Sequence, residues 1–374
     1  MWDRTGGRPF LGPGDGVGNN ESQGDPTWAV GMLKVLALGP NPALQRVLSF
    51  DGPVVTGGVN RATSVEQYCG GKGQGVALAL NLWSPGSSVV GHFLGGDTGL
   101  FVESEIASAG IEQVIQHTKA VTRTCTTLLD GEHSTELIDP SGTVSEEELH
   151  AFLAKLESKM ADVGGVALCG TTPPGADELY GALAEQMVAR SPSEMPPILL
   201  LDGFKGVDRV LRSGRVDVLK LNVDEVKALT GQDSAAAAAA VLLHGDEPLL
   251  RRPDALLALT DGPRTAFLFS KSGDAWTLEV PPIECVNSIG AGDVCTGIFL
   301  HSLVAARRAA AAGTESEASL DLDVDLAADA FGWGLAAACA RCTHQLPTFS
   351  RAEVEQFRER IAVEQIREGS AAPS

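Results

Sequence analysis

Residues 286–297 read VNSIGAGDVCTG, in which two glycines and an alanine lead directly to Asp293 and then to an apolar run. Gly290 and Gly292 carry no Cβ, so the backbone can turn sharply there and come close to a bound group. The apolar run predicts a helix that starts at this point, and the free N–H groups of a helix start attract phosphate. A carboxylate beside such an anion site can take a proton from an alcohol while a phosphoryl group arrives. The stretch therefore predicts a phosphoryl-transfer site with Asp293 as the base.

A simpler interpretation of the same stretch is a helix start capped by Asp293, with the glycines as an ordinary loop. Capping explains the carboxylate but not the two glycines, which cost backbone entropy without improving a cap. Neither GxxxxGK[ST] nor GxGxxG occurs in the chain. A phosphate site would therefore depend on this loop rather than on one of those motifs.

The chain on the N-terminal side of this stretch alternates between short apolar runs and helical patterns. The apolar runs have the composition of strands that are buried on both faces. The alternation predicts an α/β fold with a largely parallel sheet that is covered by helices. Residues 45–68 and 121–138 interrupt it and predict short antiparallel strands that form a small β lid. The predicted strands of the sheet are 33–38, 88–94, 165–169, 198–202, 216–221, 255–260 and 265–269, and the predicted helices are 72–83, 98–109, 145–159, 176–190, 223–229, 234–243 and 293–312.

Composition limits the classes of partner. The 374 residues are 44% hydrophobic, which is enough for a large core, and the formal net charge is -20. Such an acidic chain is not expected to bind nucleic acid or an anionic membrane, and no apolar run is long enough to span a bilayer. The seven cysteines are scattered and no secretory signal is recognisable, so a cytoplasmic protein is predicted. Cys339 and Cys342 have the spacing of a metal or redox pair, but the surrounding LAAACARC is typical of a buried helix.

Six further stretches accompany VNSIGAGD in a fixed order along the chain. They are LGPNPALQ (38–45), GGKGQGVALAL (70–80), LGGDTG (94–99), TELIDPSGTVSEEEL (135–149), CGTTPPG (169–175) and KLNVDEVKALTG (220–231). From about residue 32 to residue 346 the chain resembles the ribokinase-like (PfkB) sugar kinases, and within them the 1-phosphofructokinase and tagatose-6-phosphate kinase branch. This resemblance implies a ribokinase-like three-layer α/β fold with a β lid over the sugar. It also implies transfer of the γ-phosphoryl group of ATP to a sugar hydroxyl with Mg²⁺.

The resemblance also implies roles for individual residues. Asp293 matches the catalytic base, and Gly290, Ala291 and Gly292 match the anion hole. Asn222 and Glu225 match an N-x-x-E element that holds Mg²⁺ and its waters, although the same spacing is also that of a helix cap. The residues matched to the nucleotide are Lys220, Asn222, Thr260, Gly262 and Ser288, and those matched to the sugar phosphate are Lys72, Gly71, Arg123, Thr171 and Gln45.

Three positions depart from the pattern of the family. Gln45 stands where an Asp usually accepts hydrogen bonds from sugar hydroxyls, and Gly75 stands where an Asn usually contacts the sugar. Thr265 replaces the second glycine of a loop on the nucleotide side. Because each lost hydrogen bond to a buried hydroxyl costs about 0.5–1.5 kcal/mol, the first two changes predict an altered sugar preference.

These features predict an ATP-dependent kinase for a ketohexose phosphate, such as fructose 1-phosphate, fructose 6-phosphate or tagatose 6-phosphate. Lys72 and Arg123 favour a phosphorylated acceptor in an otherwise acidic chain. A non-catalytic protein that binds nucleotide or sugar phosphate, and a kinase for another sugar or a nucleoside, are the alternatives. The predicted segments are a disordered extension (1–31), the kinase domain (32–350), and a C-terminal helix and tail (351–374), with a homodimer through the lid as a further expectation.

Overall fold

In the computed structural model the described residues are 34–131, 133–188, 195–245, 247–312 and 322–366. The predicted disordered segment, residues 1–31, lies outside them. Across these ranges, no helix combines the length and the apolar character that crossing a membrane requires. All seven cysteines are free thiols, and both Cys339 and Cys342 are buried.

The structure contains all the predicted strands of the sheet. It also contains strands that the pattern did not indicate, among them Glu112–His117, Ala275–Glu279 and Ala362–Ile366. The described strands are β1 (Lys34–Leu38), β2 (Ala43–Ser49), β3 (Ser64–Gly70), β4 (Ser88–Leu94), β5 (Glu112–His117), β6 (Arg123–Leu129), β7 (Ser134–Ile138), β8 (Val163–Cys169), β9 (Ile198–Asp202), β10 (Val218–Asn222), β11 (Leu256–Thr260), β12 (Ala266–Ser270), β13 (Ala275–Glu279) and β14 (Ala362–Ile366).

Among the described residues, ten strands form the central sheet in the order β14-β13-β12-β11-β10-β9-β8-β1-β4-β5. The seven strands from β11 to β5 are parallel to their neighbours, and β12, β13 and β14 extend one edge with antiparallel pairing. Parallel neighbours point their carboxyl ends to one edge of the sheet, which is where α/β proteins of this kind bind ligands.

Helices cover both faces of this sheet, which confirms the predicted three-layer α/β fold. Side chains of β1 alternate between two cores: Val35 and Ala37 face one, and Leu36 and Leu38 face the other. The first core includes α1, α2, α8, α9 and α10, and the second includes α3 to α7. The helices are α1 (Lys72–Trp83), α2 (Gly96–Ser108), α3 (Glu146–Lys159), α4 (Leu179–Val188), α5 (Asp208–Arg212), α6 (Val223–Thr230), α7 (Ala235–Ala239), α8 (Ala291–Ala312), α9 (Val324–Cys342) and α10 (Arg351–Arg360).

A separate small sheet contains strands in the order β3-β2-β6-β7, and its strands extend the predicted segment 45–68 by two residues at each end. The β2–β3 and β6–β7 pairs are antiparallel, as expected, and β2 and β6 join them through parallel pairing, which the sequence analysis did not predict. The reason is that β2 and β6 belong to two different excursions of the chain from the main sheet. Such non-local pairing leaves no local pattern in the sequence.

Two glycine motifs contact each other directly where β1 ends and α1 begins. A Cβ on Gly73 would lie 2.4 Å from the Cα and 2.5 Å from the nitrogen of Gly39. Beside this contact, the buried Gln74 donates from Nε2 to the Gly39 carbonyl at 2.9 Å and lies 3.1 Å from Nδ1 of His92. The contact sets the position of the start of α1, and with it the position of Lys72.

We expect Gly73→Ala to destabilise the fold by about 1–3 kcal/mol, because the added methyl group meets backbone atoms that no rotamer change can move. Gly52→Ala is the matched control, since a Cβ at Gly52 meets nothing within 4 Å. Urea unfolding midpoints of the two variants and the wild type measure the difference. Equal midpoints for both variants would show that the Gly39–Gly73 contact is not tight.

Candidate active site

A cavity of about 800 Å³ lies between the carboxyl edge of the central sheet, the small sheet and the start of α8. It brings together residues that are as far apart in the sequence as Gln45 and Asp293. The predicted site residues that line it are Gln45, Gly71, Lys72, Arg123, Lys220, Asn222, Glu225, Thr260, Gly290, Gly292 and Asp293.

The glycine-rich loop turns at Gly290, whose φ of 80° is readily adopted only by glycine, and α8 then begins at Ala291. Asp293 lies in the first turn of α8. The amide of Ala291 donates to the Ser288 carbonyl at 3.1 Å, so this predicted anion-hole donor is engaged within the loop in the present conformation. Gly290 and Gly292 line the cavity.

The position of Asp293 depends on the absence of a side chain at Gly75. A Cβ on Gly75 would lie 2.5 Å from Oδ2 and 3.1 Å from Cβ of Asp293. The departure at Gly75 therefore makes room for the carboxylate itself. An Asn at this position would require Asp293 to adopt another orientation.

Sequence analysis did not identify Asp202, which lies at the centre of a buried charge cluster. Its carboxylate contacts Lys72 Nζ at 3.0 Å and Lys220 Nζ at 3.5 Å, and it accepts a hydrogen bond from Thr296 Oγ1 at 2.6 Å. Lys72 also contacts Glu225 Oε1 at 3.2 Å. The available signal was that Asp202 is the one polar residue of the run ILLLD, at the carboxyl end of a buried strand.

The same cluster sets the protonation of its members. Burial alone would raise the pKa of Asp202, but Lys220 and Lys72 lower it below its usual value. Burial alone would lower the pKa of Lys72, but Asp202 and Glu225 raise it. The pKa of Asp293 is shifted in the opposite direction. Burial and the neighbouring charge of Asp202 raise it to about 7, although Lys72 and Lys220 act to lower it. A carboxylate with a pKa near neutrality is suited to accept and release protons.

Asn222 and Glu225 form a complete capping box at the start of α6, as the alternative interpretation of their spacing predicted. Asn222 Oδ1 accepts from the Glu225 amide at 2.8 Å, and Glu225 Oε2 accepts from the Asn222 amide at 3.0 Å. Both residues still line the cavity beside Lys220. Capping and a role in the site are therefore compatible, because the cap fixes the side chains at the cavity wall.

A smaller cavity of about 210 Å³ adjoins the first and shares Gly71, Lys72, Arg123 and Glu225 with it. Thr171 lines this cavity, and its hydroxyl accepts a weak hydrogen bond from Asn41 Nδ2 at 3.4 Å. Arg123 Nη2 donates to the Asn41 carbonyl at 3.2 Å, and within the described residues its Nε has no hydrogen-bond partner. Lys205 on the next loop adds a cation that the sequence analysis did not indicate.

Several predicted positions have other surroundings. Gly262 and Ser288 line neither cavity, although the nearby Thr260, at the end of β11, and Asn287 line the larger one. Gln45 Nε2 donates to Thr127 Oγ1 at 2.9 Å across the small sheet. Thr265 Oγ1 donates to Glu279 at 3.0 Å. Within the described ranges, no group of three or more His, Cys, Asp or Glu side chains is arranged to hold a metal ion.

Comparison with known proteins agrees with this architecture. Residues 44–330 match the model of the pfkB family carbohydrate kinases. The fold is similar to phosphofructokinase-2 from Escherichia coli in complex with potassium, with a TM-score of 0.71 and 19% identity over 88% of this chain and 99% of that one. The complex of the same enzyme with fructose-6-phosphate gives a TM-score of 0.68 and 18% identity over 88% and 99%. A Thermotoga maritima protein described as a possible 1-phosphofructokinase gives a TM-score of 0.68 and 19% identity over 89% of this chain and 100% of that one.

At these identities the solved structures bear on the fold alone, while the family match spans well over half of the chain. The match contains most of the motifs quoted above, including the glycine-rich loop with Asp293. The chain therefore belongs to the pfkB family of carbohydrate kinases, as its motifs predicted.

Proposed function

We propose that this carbohydrate kinase transfers the γ-phosphoryl group of ATP to a hydroxyl of a phosphorylated ketohexose, with Asp293 as the base. Fructose 1-phosphate, fructose 6-phosphate and tagatose 6-phosphate are the candidate acceptors. The observation that carries the proposal is a carboxylate of pKa about 7 in the first turn of α8, on a cavity that also contains Lys72 and Lys220.

In this mechanism Asp293 takes the proton from the attacking hydroxyl as its oxygen bonds to the γ-phosphorus, while the bond from that phosphorus to the bridging oxygen of ATP breaks and ADP leaves. The Gly290–Gly292 loop and the positive end of α8 stabilise the charge on the transferred group. Lys72 and Lys220 place two further positive charges at the same cavity. Phosphoryl transfer needs mainly such positioning and neutralisation of charge, which these residues can supply.

The side chains at this cavity suit Mg²⁺ held largely through water and phosphate oxygens. Asn222 and Glu225 offer oxygen atoms beside Lys220, and a carboxylate oxygen can accept more than one hydrogen bond. Glu225 can therefore keep its contacts with Lys72 and the α6 cap while it orients the waters of the ion. When bound with ATP, Mg²⁺ would neutralise part of the phosphate charge.

The smaller cavity is the proposed site for the phosphate of the acceptor. Arg123 offers guanidinium donors there, one of them without a partner in the described part of the chain, and Thr171 offers a hydroxyl. Lys72 lines both cavities and could contact either end of the acceptor. Together with Lys205, Arg123 and Lys72 place three cations around this small cavity, which favours a sugar phosphate over a neutral sugar or a nucleoside.

The exposed face of the small sheet supports the predicted homodimer. Val65 and Leu137 lie on the face that points away from the large cavity, with exposures of 51% and 54%, whereas Ile138 lines the cavity. Apolar side chains grouped on an exposed sheet favour association with another surface. We keep the cytoplasmic location and the dimer through the lid as proposals that accompany the kinase activity.

Asp293→Asn is expected to lower kcat by about 10²–10⁴-fold, because an amide cannot accept the proton. ADP release with ATP and Mg²⁺ over fructose 1-phosphate, fructose 6-phosphate, tagatose 6-phosphate, free fructose, ribose and adenosine measures the loss and identifies the acceptor. Asp325→Asn is the control, since Asp325 lies in the first turn of α9 instead. ATP binding without ADP release by the wild type over the whole panel would favour the non-catalytic alternative.

The pKa of about 7 for Asp293 predicts that kcat rises with pH and levels off above neutrality, because only the ionised carboxylate is a base. The same raised pKa of Asp293 also makes the stability of the fold depend on pH. An acid with a raised folded-state pKa stabilises the fold most at low pH, and this contribution is lost as the pH rises from about 4 to about 7. The Asn variant should therefore gain thermal stability relative to wild type at pH 8 but not at pH 4. A rate independent of pH between 5 and 8 would contradict the assignment.

Arg123→Met is expected to raise the KM for the phosphorylated acceptor by about 10- to 100-fold, the effect of losing a hydrogen bond to a charged group. Turnover of an unphosphorylated sugar should change little. Arg46→Met is the matched control, because Arg46 lies on the same small sheet and lines neither cavity. If both kinds of acceptor lose activity equally, Arg123 has a structural rather than a recognition role.

A further inference from the structure

Arg341 is the largest fully buried side chain of the described chain, with 1% of its surface exposed, and the proposed mechanism does not use it. It lies in the last turn of α9 and lines the wall of the large cavity. In the described residues no carboxylate lies within ion-pair distance of its guanidinium. A charge in such a place needs partners, because burial of an unpaired charge is costly.

The partners of Arg341 are backbone carbonyls from two different loops. Its Nη1 donates to the carbonyl of Asn287 at 3.3 Å and to the carbonyl of His344 at 2.9 Å. Asn287 belongs to the loop that leads to Gly290 and α8, and His344 belongs to the loop after α9. The guanidinium therefore bridges the two loops through these carbonyl oxygens.

Further hydrogen bonds join the same two loops around Arg341. The amides of Val286 and Asn287 donate to the Cys342 carbonyl at 2.8 and 3.2 Å, and Asn287 Nδ2 donates to the Gln345 carbonyl at 2.8 Å. The Asn287 side chain also accepts from the Ile289 amide at 2.9 Å, which shapes the turn before Gly290. We call residues 286–290 and 341–345, joined in this way, the Arg341 junction.

The charge of Arg341 explains why the carbonyls can converge. Carbonyl oxygens repel each other when they point at one place, and the C-terminal end of α9 adds further negative potential. A cation at that place offsets both effects. A neutral side chain of similar size would fill the space but leave the carbonyls of Asn287 and His344 without a donor.

We propose that Arg341 is a positioning residue for the phosphate-binding loop. Its guanidinium holds the backbone of 286–290 so that the glycines and Asp293 are correctly placed for phosphoryl transfer. This inference rests on the proposed function for its catalytic consequence, but the order of the loop can be measured without any activity. A loosened anion site affects mainly the transition state, where the transferred group carries its developing charge.

The test compares Arg341→Met, Arg341→Lys and wild type by hydrogen–deuterium exchange of the amides of 286–292 and by ADP release. Arg307→Met is the matched control, since Arg307 is a partly buried arginine of α8 that donates to the Pro196 carbonyl at 2.6 Å away from the junction. We expect faster exchange of 286–292 in Arg341→Met and a kcat lower by about 10- to 100-fold, with the KM for ATP within about threefold. Arg341→Lys keeps the positive charge, so its exchange rates and its kcat should lie between those of the wild type and those of Arg341→Met.

In Arg341→Ala, which leaves room for a small cation, millimolar guanidinium, far below denaturing concentrations, should restore part of the kcat and slow the exchange, but it should not change the control. If Arg341→Met does not fold, Arg341→Lys supports the same comparison with smaller expected changes. A folded Arg341 variant whose kcat and whose exchange at 286–292 both equal those of the wild type would overturn the proposal. A wild-type protein that releases no ADP with any acceptor would count against the proposed function, whereas the exchange of 286–292 would still decide the role of Arg341.

Discussion

The contact of Asp202 with Lys72 and Lys220 is the interaction on which the rest of the site depends. Asp202 ends β9, Lys72 begins α1, Lys220 lies on β10, and Thr296 of α8 donates to the same carboxylate. Four elements therefore meet at one buried charge. Removing one partner of a buried pair is costly, since the other charge is left uncompensated. The cluster thus links the carboxyl edge of the sheet to α1 and α8 where they begin at the cavity.

The same cluster separates the behaviour of two neighbouring carboxylates. Asp202 has both lysines in contact and stays ionised, while Asp293 is partly buried, faces the charge of Asp202, and has a pKa of about 7. Two acids in one cavity with pKa values displaced in opposite directions are a recurring sign of divided roles in catalysis. In this protein Asp202 organises the cations, and Asp293 is free to exchange a proton.

Gly75 and Gln45, which depart from the pattern of the family, each have a structural consequence at the large cavity. At Gly75 the missing Cβ makes room for the Asp293 carboxylate, so the change concerns the proposed base as well as the proposed sugar site. At Gln45 the amide is bonded to Thr127 across the small sheet, which reduces its freedom to turn toward a ligand. Both changes lie on the wall of the large cavity, beside the cations of the smaller one. They alter the shape of the cavity while the buried charge cluster is intact.

The sequence by itself determined the alternation of strands and helices, the three-layer fold, the start of α8 near Asp293 and the family. Each of these depends on local periodicity, on a helix start or on a continuous motif, all of which neighbouring residues encode. Only the tertiary structure decided that Asp202 contacts Thr296, that β2 pairs with β6, and that Arg341 bridges Asn287 and His344. These partners belong to different segments that only the fold brings together, and a lone polar residue at the end of an apolar run does not indicate which charge it will meet. The sequence therefore supplied the chemical groups, whereas the packing of sheet, lid and helices decided which of them share a cavity.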